Sequence, residues 1–183
     1  MMRRGAAGLI VGLCLVATGA SAQTVTTSLS NASGAPAIGK IVRGGSATTF
    51  AYTPGATTPV KTGPAVVIAA GLAGPPTVSI SCGVTGSNSG NCNSNRIEVT
   101  IQSTSASAPN ITQFSVGTLS CTGCSPAYQG GTPSPAASLH FFITGGRKGE
   151  TVSFPLGMVV TTPSSGATGL KTFGFSVTGS SVN

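Results

Sequence analysis

The chain has 183 residues, of which only 6% are charged, with nine Lys and Arg against two Glu, one His and no Trp; an ordinary globular domain is roughly 25% charged. So few acids exclude catalysis by paired carboxylates and a carboxylate-rich calcium or magnesium site, and the length fits one domain better than two. Gly, Thr and Ser together make 76 of the 183 residues, a composition for strands and turns and not for a helical bundle.

The first 22 residues read as a secretory signal peptide. Arg3 and Arg4 form a basic head, Gly5 to Gly19 is an uncharged apolar run, and Ala20-Ser21-Ala22 offers a cleavage signal before Gln23. The run is short for a membrane span, which needs roughly 20 apolar residues. Leu13 stands before Cys14 where a lipid-attachment site would carry a small residue. The expectation is therefore a single exported domain over 23–183, in the periplasm or on the cell surface of a bacterium, with no membrane anchor after cleavage. Its cations are Lys40, Arg43, Lys61, Arg96, Arg147, Lys148 and Lys171. They are scattered and form no basic stripe, so no nucleic-acid partner is expected.

In chain order, Gln23 to Ser30 is strand-prone, with Val25 and Leu29 on one parity. It is a candidate donor strand that completes the sheet of a second copy, or of another exported β-protein, by strand addition; the plainer reading is the first strand of its own fold. Gly34 to Lys40 has the spacing of a phosphate-binding loop, but Ile41 follows where Ser or Thr must hold the metal. Weaker strands are expected over Ile38 to Val42, Thr48 to Tyr52 and Ala65 to Ile68. Lys61-Thr62-Gly63 echoes a penicillin-recognising motif, yet no mature Ser stands three residues before a Lys. Val78, Ile80, Cys82 and Val84 alternate with small or polar residues, as do Ile97, Val99 and Ile101, the period of a half-buried strand. A weaker run covers Ile111 to Leu119. Ser125 to Ser138 reads as a long loop holding Tyr128, the best candidate for a loop contact with a ligand. Leu139, Phe141 and Ile143 form an inward set with His140 on the opposite face. Thr151 to Val160 is a further weak strand, and Phe173, Phe175 and Val177 form the last inward set. No stretch keeps a 3.6-residue period. The pattern predicts an all-β fold, an antiparallel β-sandwich (Ig-like or pilin-like) with no helix beyond the signal peptide.

Four cysteines follow the signal: Cys82, Cys92, Cys121 and Cys124. In an exported chain they suggest two disulfides, with three pairings open. Cys82–Cys92 with Cys121–Cys124 is favoured; chain-entropy arithmetic assigns them about 3 and about 2 kcal/mol respectively. Cys121-Thr-Gly-Cys124 has redox spacing, but Ser125-Pro126 and a Gly/Pro-rich loop follow where a thioredoxin-like site needs a helix. A serine hydrolase lacks its elbow, and His140 is the sole histidine beside Glu98 and Glu150. No enzyme activity, metal or cofactor is expected.

Three stretches carry a resemblance: AIGKIVRGGSATTFAYTPGA from Ala37 to Ala56, GPAVVIAAGLAGPPTVSISCGVTG from Gly63 to Gly86, and SFPLGMVVTTPSSGATGLKTFGFSVTGS from Ser153 to Ser180. Together they resemble the secreted bacterial domain-of-unknown-function family 4402, itself similar to spore-coat-U-like and chaperone-usher pilin subunits. The chain departs from that pattern in its ending FSVTGSSVN, its four cysteines and its Ser125–Ser138 loop. The resemblance implies a pilin-like sandwich and no catalytic residues. The expected function is a non-catalytic structural or interaction protein, a surface-appendage or coat-like subunit. The alternatives are an extracellular glycan-binding (adhesin) module and a periplasmic thiol redox protein using Cys121 and Cys124.

Overall fold

A computed structural model describes residues 25–30, 37–83, 96–104, 110–147, 149–165, 169–172 and 174–182. The strands in chain order are β1 (Val25–Ser30), β2 (Ala37–Val42), β3 (Thr48–Tyr52), β4 (Val60–Thr62), β5 (Val66–Ala73), β6 (Thr77–Cys82) and β7 (Arg96–Ser103). They continue with β8 (Asn110–Val116), β9 (Ser120–Cys121), β10 (Ala127–Tyr128), β11 (Ser138–Thr144), β12 (Thr151–Thr162), β13 (Gly169–Thr172) and β14 (Phe175–Val182). Among the described residues there is no helix, and the named strand pairings are all antiparallel. The all-β, antiparallel expectation holds.

The organising element is β12, 12 residues long. Val152, Phe154, Leu156, Met158, Val160 and Thr162 point one way and are all buried, the period-two signature of a strand with one face in the core. Its first half pairs with β6 and β9, and its second half with β3 and β8. The exchange falls at Pro155. Proline brings no N–H to a ladder, and here its carbonyl accepts the Gly117 N–H at 2.9 Å while Leu156 N–H donates to Pro76 at 3.1 Å on the opposite edge. Gly157, on the outer face, lies under Pro54. A Cβ there would meet the Pro54 nitrogen at 2.8 Å, so only glycine admits the turn after β3.

These strands form a seven-stranded sheet with the path β1-β6-β12-β3-β4. A four-stranded sheet runs β10-β11-β7-β14, and a three-stranded one β13-β2-β5. One buried cluster draws Ile97, Val99, Ile101, Leu139, Phe141 and Ile143 from the four-stranded sheet. It draws Phe50, Val78, Ile80, Phe114 and the inner face of β12 from the seven-stranded sheet, and Ile38 and Ile41 from β2. Phe175 and Val177 pack against its rim.

Most predicted alternations appear as strands. Ala65 to Ile68 extends as β5 to Ala73, and Ile111 to Leu119 stops at Val116. Just past this end only glycine fits, because a Cβ at Gly117 would lie 2.6 Å from the Pro155 ring and 3.0 Å from Pro54. The Ser125–Ser138 loop is more structured than its composition suggests. It contains β10, paired with β11, and a bridge between Ala136 and Phe114. Val84, Cys92, Lys148 and Phe173 lie outside the described residues, as do the signal peptide and Gln23.

Candidate functional site: the outer face of the four-stranded sheet

Among the described residues, ionisable and aromatic side chains gather on the solvent side of β7, β11 and β14. Because Ile97, Val99 and Ile101 face the core, the intervening Arg96, Glu98 and Thr100 face outward. Register sets the rows. Ser180, Glu98 and Phe142 stand side by side, and Thr178, Thr100 and His140 form the next row.

Within this array His140 Nε2–H donates to Glu98 Oε1 at 2.7 Å, and Ser180 Oγ–H donates to Glu98 Oε2 at 3.2 Å. The Arg96 guanidinium lies 4.9 Å from the centre of the Phe142 ring, within cation–π range. The His140 ring meets the same Phe edge-on at 5.2 Å. Arg96 also donates to Gln129 Oε1 at 3.4 Å. The hydrogen bonds from His140 and then Ser180 hold the Glu98 carboxyl below its ordinary value of 4.5.

The chemistry follows from the order of these groups. Glu98 stands between Ser180 and His140 and accepts from both. A nucleophilic triad requires the imidazole on the serine, and here it is on the carboxylate. Among the described residues no three His, Cys, Asp or Glu side chains converge on a metal position. The face is suited to contact, offering an aromatic ring beside planar hydrogen-bonding groups.

Tyr128, the predicted loop contact, is half-buried. Its O–H donates to the Gly117 carbonyl at 2.7 Å, and its ring packs edge-on against Phe141 at 5.5 Å and Phe154 at 6.5 Å. Burial pushes its phenol well above the ordinary range. It lines a shallow cleft of about 180 Å³ with Leu119 and Pro126. Tyr128 thus stitches the long loop to the core.

Cys121 and Cys124 are joined by a disulfide, with Cα atoms 5.5 Å apart. The turn needs Gly123 at φ 84°, a left-handed conformation that glycine adopts freely, and Glu150 packs against it. The preceding β9 pairs with β12, so the bridge is tied to the central strand, and Ser125 and Pro126 after it are not helical. Cys82 is also disulfide-bonded; the expected partner Cys92 lies outside the described residues. Cys82 and Cys121 flank the start of β12, where Cys82 N–H donates to Glu150 O and Cys121 stands opposite Val152.

The candidate donor residues Val25 and Leu29 belong to β1, at the edge of the seven-stranded sheet. They take register positions opposite Cys82 and Val78 of β6 in their own chain.

Sequence reasoning missed Arg96, Phe142, Gln129 and Ser180. Each lies on an outward parity or in a loop, and only the register of distant strands brings them together. Compared with known proteins, the chain matches no family model, no curated protein and no solved structure.

Proposed function

We propose that the chain is an exported, non-catalytic structural or interaction protein, a coat-like or surface-appendage subunit built on a pilin-like β-sandwich. The observation that carries this reading is β1. Its six residues pair with β6 at the end of the seven-stranded sheet, opposite the buried Val78, Ile80 and Cys82, with β14 nearby but not hydrogen-bonded to it. A terminal strand seated at a sheet edge can be exchanged for the same strand of a second copy, which is the usual route to a swapped or chained assembly. The resemblance quoted above supports the same reading. So does a single core to which the four-stranded and seven-stranded sheets contribute most of the side chains and β2 of the third sheet adds Ile38 and Ile41, in keeping with sheet-on-sheet packing.

Light scattering over a range of concentrations tests it. The exported protein is expected to form a ladder of oligomers, and deletion of Gln23 to Ser30 to leave only monomer. A monomer at every concentration, or oligomers indifferent to the deletion, overturns the proposal. A second reading, glycan contact, rests on the Phe142–Arg96–His140 face. It predicts a glycan-array signal lost on Phe142→Ala and kept on Tyr128→Phe.

A further inference from the structure

Among the described residues the exposed large aliphatics are five: Val42, Val60, Val66, Val67 and Ile68. All fall on β2, β4 and β5. Single exposed aliphatics are ordinary, but Val42 stands opposite Val66 on the paired strands β2 and β5, with Val67 and Ile68 following and Val60 just before the turn into β5, and such a cluster marks a contact surface. Val66 and Ile68 are 60% and 63% exposed, and Val67, which points to the opposite side of the strand, is still 38% exposed. The start of β5 is therefore a ridge that projects apolar side chains to both sides, at the end of the three-stranded sheet.

The ridge is held firmly at its root. Ala65 is buried and its N–H donates to Thr48 Oγ1 at 3.0 Å, while Thr162 Oγ1 donates to the Thr48 carbonyl at 3.2 Å. The Lys61 ammonium clamps the turn between β4 and β5 by donating to Gly63 O at 3.0 Å and Ala65 O at 2.8 Å. Beside the ridge lies a cleft of about 220 Å³ lined by Ile38, Phe50, Pro59, Val67 and Lys61.

The charge around it has one sign. Residues 37–73 hold Lys40, Arg43 and Lys61 and no acid, because the two glutamates of the chain are Glu98 and Glu150. Lys40 and Lys61 are exposed. A second copy is a poor occupant, since a two-fold contact sets a patch against itself and would bring these cations together with no acid to answer them. A projecting ridge also offers little to a protein partner that needs a groove. Aliphatics that project on both sides, with Lys40 on β2 and Lys61 on β4, suit the boundary between lipid headgroups and acyl chains. Anionic headgroups complement the cations.

We propose that the β2–β4–β5 ridge is a peripheral docking surface for anionic lipid bilayers. The aliphatics of β5 enter the headgroup boundary and Lys40 meets lipid phosphates, while Lys61 adds positive charge from its place on the β4–β5 turn.

The protein purified after export is sedimented with vesicles of phosphatidylcholine alone and with vesicles containing about one-third phosphatidylglycerol. The anionic vesicles are expected to bind at least roughly tenfold more protein at low salt, with the excess shrinking as salt rises. Val66→Ser with Ile68→Ser is expected to lower binding roughly tenfold, and Lys40→Gln to weaken it and flatten its salt dependence. The chain lacks Trp, so Ile68→Trp and Phe142→Trp each supply a single reporter on different sheets. A blue shift on anionic vesicles at position 68 and none at 142 supports the proposal, and does so even if the double serine variant folds poorly. Absent binding, equal binding to both vesicles, a shift at 142 alone, or a lipid-free dimer dissolved by the double serine variant overturns it. Deleting Gln23 to Ser30 is expected to leave vesicle binding intact, which separates this result from the assembly test.

Discussion

His140 and Glu98 lie 42 positions apart in sequence and meet at 2.7 Å across β11 and β7. They are diagonal neighbours, since Glu98 stands opposite Phe142 and His140 opposite Thr100. Long side chains reach across such a diagonal. The pair joins the chain's only histidine to one of its two glutamates on an otherwise weakly charged surface.

The acid limb of the stability curve follows from this contact. The Glu98 carboxyl is held below 4.5, first by the His140 hydrogen bond and then by that of Ser180. A carboxyl depressed in the folded state favours folding at pH above its unfolded value. That contribution disappears as pH falls below 4.5 through the depressed value. Glu98→Gln is therefore expected to lower the melting temperature slightly at pH 6 and by progressively less as pH falls below 4.5, so the two proteins approach one another in acid. Melting curves across this range check it; a constant offset at every pH is the contrary result.

Tyr128 makes a different kind of contact. Its hydroxyl satisfies the Gly117 carbonyl, and its ring fills space against Phe141 and Phe154. Tyr128→Phe keeps the ring and deletes the bond, so a loss of about 1 kcal/mol is expected. Tyr128→Ala removes the ring as well, with an expected loss of about 3 kcal/mol. Denaturant midpoints at constant slope measure both. Equal losses for the two variants would count against the packing role of the ring.

The inner faces were legible because alternation is a local property. Val78–Cys82, Ile97–Ile101 and Leu139–Ile143 show their parity within a few residues, and each carries that parity into the core. Pairing is not local. Nothing near Glu98 announces that Ser180 and Phe142 will stand on either side of it, because that row depends on two registers set by the whole core. The same reason hid β10. Ala127–Tyr128 has the composition of a loop and becomes a strand only because β11 offers its edge. The Val66–Ile68 run is a third case: its composition marks a strand, but only the sheet order shows that it lies at a sheet end with its aliphatics exposed.

Gly157 tests the crossing of β12 by the turn at Pro54. The position is buried, and a Cβ there would meet the Pro54 ring at 2.7 Å and its backbone nitrogen at 2.8 Å. Backbone cannot step aside as a flexible side chain can, so Gly157→Ala is expected to cost about 1–3 kcal/mol by overpacking. Gly130→Ala is the control for a left-handed glycine with nothing near it, φ 84°. It should show backbone strain alone, about 1 kcal/mol. A thermal or urea melt of each variant gives the comparison.

The Cys121–Cys124 bridge closes a very short loop, so its effect on the unfolded chain is modest. The chain-entropy relation gives about 2 kcal/mol for so small a ring. Cys121→Ser with Cys124→Ser is therefore expected to lower stability by about that amount and leave a folded protein, because β9 keeps its pairing with β12 through backbone bonds. A redox role requires the bridge to cycle, and the segment after Cys121 supplies no helix N-terminus to stabilise a thiolate there. Insulin-reduction turnover is expected to be absent in the parent protein. Measurable turnover that vanishes in the double serine variant would instead assign the bridge to thiol exchange. A stability loss without any turnover leaves it as a brace at the start of the central strand.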